Sequence, residues 1–198
     1  MKDNKIINQI EPLVTKDDAE SVYEYLKSGA WVTEHKVTNN FEAIIKNYVG
    51  RNHAIAVPNG TMAIYLSLLA SGVKKGDRVA VPNLTMIATI NAVLWIGAEP
   101  VLIDVNKSLC MSYEKLIKVK KLSAVIYVPL NGRTEDGLLI EKWCKSNGIL
   151  LIEDSAHALG SKYNQLKNCG QLGDVSVLSL TPHKLITTGQ GGVILVDK

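Results

Sequence analysis

Short apolar runs rich in β-branched residues recur along the chain, at Ala54–Val57, Arg78–Val81, Pro100–Ile103, Ala124–Val128, Ile149–Glu153, Val175–Ser179 and Gly192–Val196. Between most of them lie segments with apolar residues spaced three and four apart. Thr61–Ser71, Ile87–Trp95 and Asp136–Ser146 are the clearest, and that period predicts amphipathic helices. The runs are apolar throughout and do not alternate with polar residues, so they predict strands covered on both faces. Strand–helix alternation of this kind predicts an α/β fold, a three-layer α/β/α sandwich around a mainly parallel sheet. Residues 1–50 read as an N-terminal region with helices over Lys16–Lys27 and Asn40–Tyr48; residues 51–198 carry the sheet.

Composition narrows the class. A chain of 198 residues, 46% hydrophobic and 21% charged, has the size and apolar content of one globular domain. Its net charge of +3 is spread among acids, and the densest basic stretch, Lys115 to Lys121, reads as a solvated helix face, so no nucleic-acid partner is expected. The three cysteines, Cys110, Cys144 and Cys169, are far apart and in no C-x-x-C pattern; reduced thiols in a cytoplasmic protein are expected. Met1–Glu11 mixes acids with lysines, unlike a targeting peptide. The longest apolar stretch, Met86–Ala98, is broken by Thr89, Asn91 and Gly97, so no membrane span is expected.

In open α/β sheets, ligands bind beyond the carboxyl ends of the strands. Three such ends carry chemistry here. Ala54–Val57 leads into Pro58-Asn59-Gly60-Thr61 at the start of a helix, where free N–H groups and the helix dipole favour a phosphate. Taken alone, the same residues read more readily as a well-capped helix and nothing more. Ile149–Ile152 runs into Glu153-Asp154-Ser155-Ala156-His157. A carboxylate at the end of a buried strand needs a partner, and Asp154 would find one in a protonated heterocycle nitrogen or in the N–H groups of a following turn. Ser179 to Gly192 is dense in hydroxyls and glycines and holds Lys184 among apolar neighbours. Partial desolvation there would lower the lysine's pKa and free its amine for covalent chemistry. An anion-binding helix start, a strand-end aspartate and a loop lysine are together the contacts that pyridoxal 5'-phosphate (PLP) requires, for its phosphate, its pyridine nitrogen and its aldehyde.

From Trp31 onward the chain resembles the sugar aminotransferases of the DegT/DnrJ/EryC1/StrS family, which have the aspartate aminotransferase fold. The resemblance rests on ordered landmarks: Asn59-Gly60-Thr61, Gly76-Asp77, Ala88-Thr89, Gly97-Ala98-Glu99-Pro100, Glu153-Asp154-Ser155-Ala156-His157, Gly173-Asp174 and Ser179 through Gly192. It implies a PLP-binding large domain in which Gly60, Thr61 and Ser179 hold the phosphate and Asp154 pairs with the ring nitrogen. His157 would lie near the ring hydroxyl, where relatives have Gln. Met86 would pack on the ring, where relatives have an aromatic side chain. Lys184 would bond the cofactor and move the proton. It implies transfer of an amino group from glutamate to a keto group of a nucleotide-linked deoxysugar, for surface polysaccharide such as O-antigen or for other amino sugars. The dehydratase branch has His at the lysine position; here that position is Lys184, and His183 precedes it.

Other departures are Gln190 in place of an acid, Pro129 and Asn131 in place of His and Tyr, and Thr33-Glu34-His35 without a glycine after the threonine. The chain ends about halfway through a typical relative. The expected reading is a truncated large domain without the small C-terminal domain, pairing as a homodimer or with the missing half. The alternative is a silent family remnant that binds cofactor, sugar nucleotide or a partner chain.

Overall fold

The computed structural model describes residues 8, 10–33 and 36–198. Glu34 and His35, and most of Met1–Glu11, lie outside the described residues.

Helix α1 (Lys16–Lys27) opens on a capping box in which the Thr15 hydroxyl accepts from the Asp18 N–H and the Asp18 carboxylate accepts from the Thr15 N–H. It buries none of its residues, and Val22, Tyr23 and Leu26 are exposed. Helix α2 (Lys36–Val49) begins earlier than its apolar spacing suggested and buries Ile45 and Val49. Strand β1 (His53–Val57), α3 (Gly60–Ala70), β2 (Arg78–Pro82), α4 (Ile87–Ile96) and β3 (Glu99–Ile103) follow. After them come α5 (Tyr113–Leu116), β4 (Ala124–Tyr127), α6 (Gly137–Asn147) and β5 (Leu150–Asp154). A small hairpin, β6 (Lys162–Tyr163) and β7 (Lys167–Asn168), precedes β8 (Val175–Ser179) and β9 (Gly192–Val196). The lysine-rich stretch makes only the single turn α5 and then irregular chain, with Lys121 at φ 58°. Its lysines are exposed as expected, but they do not line a helix face.

The large sheet has seven strands in the order β1-β9-β8-β5-β4-β2-β3. Strand β9 runs against both of its neighbours, and the other pairings are parallel. The period-2 geometry of strands sorts side chains to the two faces. On one face Val79, Val81, Ala124, Ile126, Ile152 and Val177 pack with Ala63, Ile64 and Leu68 of α3 and Val93 of α4. On the other, Ala80, Val125, Tyr127 and Leu151 pack with Leu116, Ile140, Cys144 and Tyr163, while Leu178, Val193 and Leu195 pack with Ile45 and Val49 of α2. The three-layer sandwich expected from the sequence is present. Burial on both faces holds for β2, β4, β5 and β8; the edge strands β1 and β3 leave Ile55 and Leu102 exposed. The three cysteines are free and buried, and burial pushes the thiols of Cys144 and Cys169 up to about 12. Among the described residues no helix is long and apolar enough to cross a membrane.

Candidate functional site

Because only β9 is reversed, β1, β2, β4, β5 and β8 all deliver their carboxyl ends to one edge of the sheet. A cavity of about 200 Å³ lies there. Gly60, Thr61, Met86, Asp154, His157, Ser179 and Lys184 all line it, together with Thr85, Val128, Thr181 and His183. The sequence-predicted residues, drawn from four separate segments, therefore meet in one place. A larger depression of about 820 Å³ between α6 and the start of β5 contains none of them.

Asn59 caps α3, its side-chain oxygen accepting from the Met62 N–H at 2.9 Å. Helix geometry leaves the N–H groups of Gly60 and Thr61 without intrahelical acceptors, and both residues line the cavity. Packing requires glycine at position 60. A Cβ there would meet Ser179 Cβ at 2.9 Å, so it is the seating of α3 against β8 that excludes a side chain. Gly192 answers the same crowding from the other side, since its Cβ would lie 2.5 Å from the Asn59 carbonyl carbon. Replacing Asn59 by Ala is expected to lower stability by about 1 kcal/mol through loss of the cap. Urea unfolding checks this; no change would mean the capping bond contributes nothing.

Strand β5 ends in two buried carboxylates that point to opposite faces. Glu153 faces the α6 side and accepts from the Tyr163 hydroxyl, the Gly170 and Leu172 N–H groups and the Ser176 hydroxyl, all within 2.9 Å. Burial pushes its carboxyl up, and these donors pull it back. Asp154 faces the cavity and has fewer donors: the Thr89 hydroxyl at 2.8 Å and the Ala156 N–H at 3.2 Å. Burial raises its carboxyl too, against those hydrogen bonds and the charges of His157 and Lys184. A carboxylate has about four acceptor positions, so Asp154 retains capacity for a cationic donor inside the cavity.

Lys184 is half-buried on a turn where its N–H donates to the Thr181 carbonyl at 3.0 Å. Burial lowers its ammonium pKa, and Asp154 opposes that shift. It also borders a wider outer groove of about 950 Å³ lined by Pro12, Asn131 and Leu185, so its amine stands between the inner cavity and an open approach. His157 lines both spaces. Its Nδ1 is buried with no hydrogen-bond partner among the described residues. Burial, then the Lys184 charge, hold the imidazole below its ordinary pKa while Asp154 opposes them. Met86 stands just before α4, at the rim, and is 53% exposed. The hydroxyls after Lys184 serve the loop itself: Thr187 Oγ1 donates to the Leu180 carbonyl and Thr188 Oγ1 to the Gln190 carbonyl. Gln190 enters that closure through its backbone, and its side chain is exposed. These residues fit PLP: free helix-start N–H groups for a phosphate, an under-satisfied carboxylate, an orphaned imidazole nitrogen and a desolvated amine.

Residues 12–198 match the DegT/DnrJ/EryC1/StrS aminotransferase family. The chain belongs to that family. It is 37% identical to the GDP-perosamine synthase of Escherichia coli O157:H7 over 98% of its length, covering 54% of that protein. The aminotransferase TlmJ from Streptoalloteichus hindustanus superposes with a TM-score of 0.92 at 30% identity, over 98% of this chain and 54% of that one. Spr1654 from Streptococcus pneumoniae in its PLP form superposes with a TM-score of 0.89 at 28% identity, over 97% and 53%. The chain thus spans about half the length of the curated relatives it matches. Within the family frame, Thr89 is the site residue to which sequence reasoning gave no role. Its signal was its place in the Ala88-Thr89 landmark, with no partner indicated.

Proposed function

We propose that this chain is the cofactor-holding half of a PLP-dependent sugar-nucleotide aminotransferase, moving an amino group from glutamate to a keto group of a nucleotide-linked deoxysugar. The observation that carries the proposal is the convergence of Lys184, Asp154 and the α3 N-terminus on one cavity. The name of the GDP-perosamine synthase relative supports a nucleotide-linked sugar as substrate class. Use in surface polysaccharide or other amino-sugar synthesis in the cytoplasm follows the family, as does pairing in a homodimer or with a C-terminal half.

When bound, PLP supplies an electron sink for bonds broken at the amino carbon. Each residue's part follows from its place. The N–H groups of Gly60 and Thr61, with the Ser179 hydroxyl, hold the phosphate at the positive end of α3. Asp154 keeps a proton on the ring nitrogen. His157 would offer a hydrogen bond to the ring hydroxyl, and Met86 would offer its polarizable thioether to the ring. Lys184 would hold the cofactor through its amine, and its Nζ would be the group that holds and moves a proton beside the substrate.

The test is the visible absorption of the purified chain titrated with PLP, alongside Lys184→Ala. The parent is expected to develop a cofactor band that borohydride fixes covalently, with no fixed label in the variant. A folded parent that develops no band would sink the proposal for this chain.

A further inference from the structure

Asp154 is buried, yet among the described residues only one side chain is hydrogen-bonded to it. That side chain is Thr89, which lies on α4 with no exposed surface. Its Oγ1 donates to Asp154 Oδ2 at 2.8 Å, and Thr85 Oγ1, just before the α4 N-cap, lies 3.3 Å from Thr89 Oγ1. The second carboxylate oxygen accepts the Ala156 N–H of its own strand end. Two elements on different segments thus grip the two oxygens, α4 from one side and the turn after β5 from the other.

A buried hydroxyl must donate somewhere. At most helix positions a threonine hydroxyl turns back to a carbonyl of the preceding turn. Here the Thr89 bond goes across to Asp154. With Thr85 able to donate to Thr89 Oγ1, the pair forms a short relay from the cavity wall to the carboxylate, because Thr85 itself lines the cavity.

We propose that Thr89 is a positioning residue, its hydroxyl gripping the Asp154 carboxylate and aiming it into the cavity, with Thr85 orienting Thr89. That Asp154 then serves a cofactor ring nitrogen rests on the function proposed above; the grip itself does not. A hydrogen bond to the charged form of an acid favours that form, and it acts against the burial that raises this carboxyl. The other ionisable groups around it are His157 after β5, Lys184 and His183 on the loop after β8, and Glu153, turned to the opposite face of the sheet. None of them replaces the Thr89 bond, since none is hydrogen-bonded to Asp154.

The experiment uses the whole chain with Thr89→Val, which keeps the branched shape and loses the hydroxyl, and Thr89→Ser, which keeps the hydroxyl. First, the carboxyl carbon of Asp154, assigned with Asp154→Asn, is followed by carbon-13 NMR against pH in the cofactor-free protein. Asp154 is expected to titrate about one pH unit higher in the Val variant, a tenfold change in proton affinity, and as in the parent in the Ser variant. Second, PLP is titrated into each protein between mildly acidic and mildly basic pH, followed by cofactor absorbance. The Val variant is expected to bind about tenfold more weakly, with the deficit growing as pH falls because more of its Asp154 is protonated. The Ser variant should bind as the parent does. An unchanged Asp154 titration in the Val variant overturns the proposal. So does a Ser variant that shifts like Val, because packing would then be the cause. If the NMR shift is found but the parent takes up no PLP, the grip on Asp154 stands and the cofactor reading falls.

Discussion

Arg51→Met is expected to lower the unfolding free energy by about 3 kcal/mol, because several buried acceptors lose a charged donor. The side chain is almost fully buried. Its Nε donates to the Gly170 carbonyl, and Nη2 donates to the carbonyls of Leu172 and Gly173 and to Ser176 Oγ. Its Nη1 pairs with Asp197 at 2.8 Å. The same 170–173 turn has the N–H groups of Gly170 and Leu172 bound by Glu153. Arg51 therefore takes the carbonyls, Glu153 takes the amides, and Ser176 links the two charges by hydrogen-bonding both. Methionine fills much of the volume but accepts none of these duties. Domains of this kind have only about 5–15 kcal/mol in total, so the expected loss should appear as a large fall in the urea midpoint with little change in slope. A loss below about 1 kcal/mol would show that water reaches those carbonyls and that the network is not a structural key.

That network also marks where sequence reading stops. The period of the apolar runs was enough to anticipate the layers, because strands buried on both faces leave an unbroken hydrophobic signature. It could not reveal that β9 inserts between β1 and β8, because strand order depends on pairings far apart in sequence. The site residues were legible wherever a residue type is chemically unusual in its place: a lysine in a glycine- and threonine-rich loop, an acid closing an apolar strand. Thr89 stood in a quoted landmark, but its task was not legible, because its partner lies 65 residues away. The packing reason for glycine at position 60 was not legible, since the contact that excludes a Cβ comes from Ser179, again a distant residue. Arg51 and Glu153 lie far apart in sequence, and nothing in either segment points to the other. Their joint hold on one turn exists only in three dimensions.

Asp154→Asn is expected to act in opposite directions on cofactor binding and on stability. Toward PLP the loss should be large, about 100-fold in affinity, or about 2.7 kcal/mol. An amide cannot hold the ring nitrogen protonated, and a charge-assisted hydrogen bond becomes a neutral one. Toward folding the sign reverses. Burial raises the Asp154 carboxyl above its ordinary value, so the folded chain binds a proton there more tightly than the unfolded chain does. Stability from this group is then present at low pH and falls as pH rises from the ordinary aspartate range through the raised folded value. Asparagine removes that dependence, although its amide faces the Ala156 N–H less favourably than a carboxylate does. The cofactor-free variant should be at least as stable as the parent near neutral pH, with its relative advantage shrinking toward acid. Paired urea titrations at neutral and acidic pH, set beside PLP titrations, read both effects. A variant that binds PLP like the parent, or one that is clearly less stable near neutral pH, would make Asp154 a structural residue. The expected pattern, weaker binding without loss of stability, is that of a residue kept at some cost to the fold for what it does in the cavity.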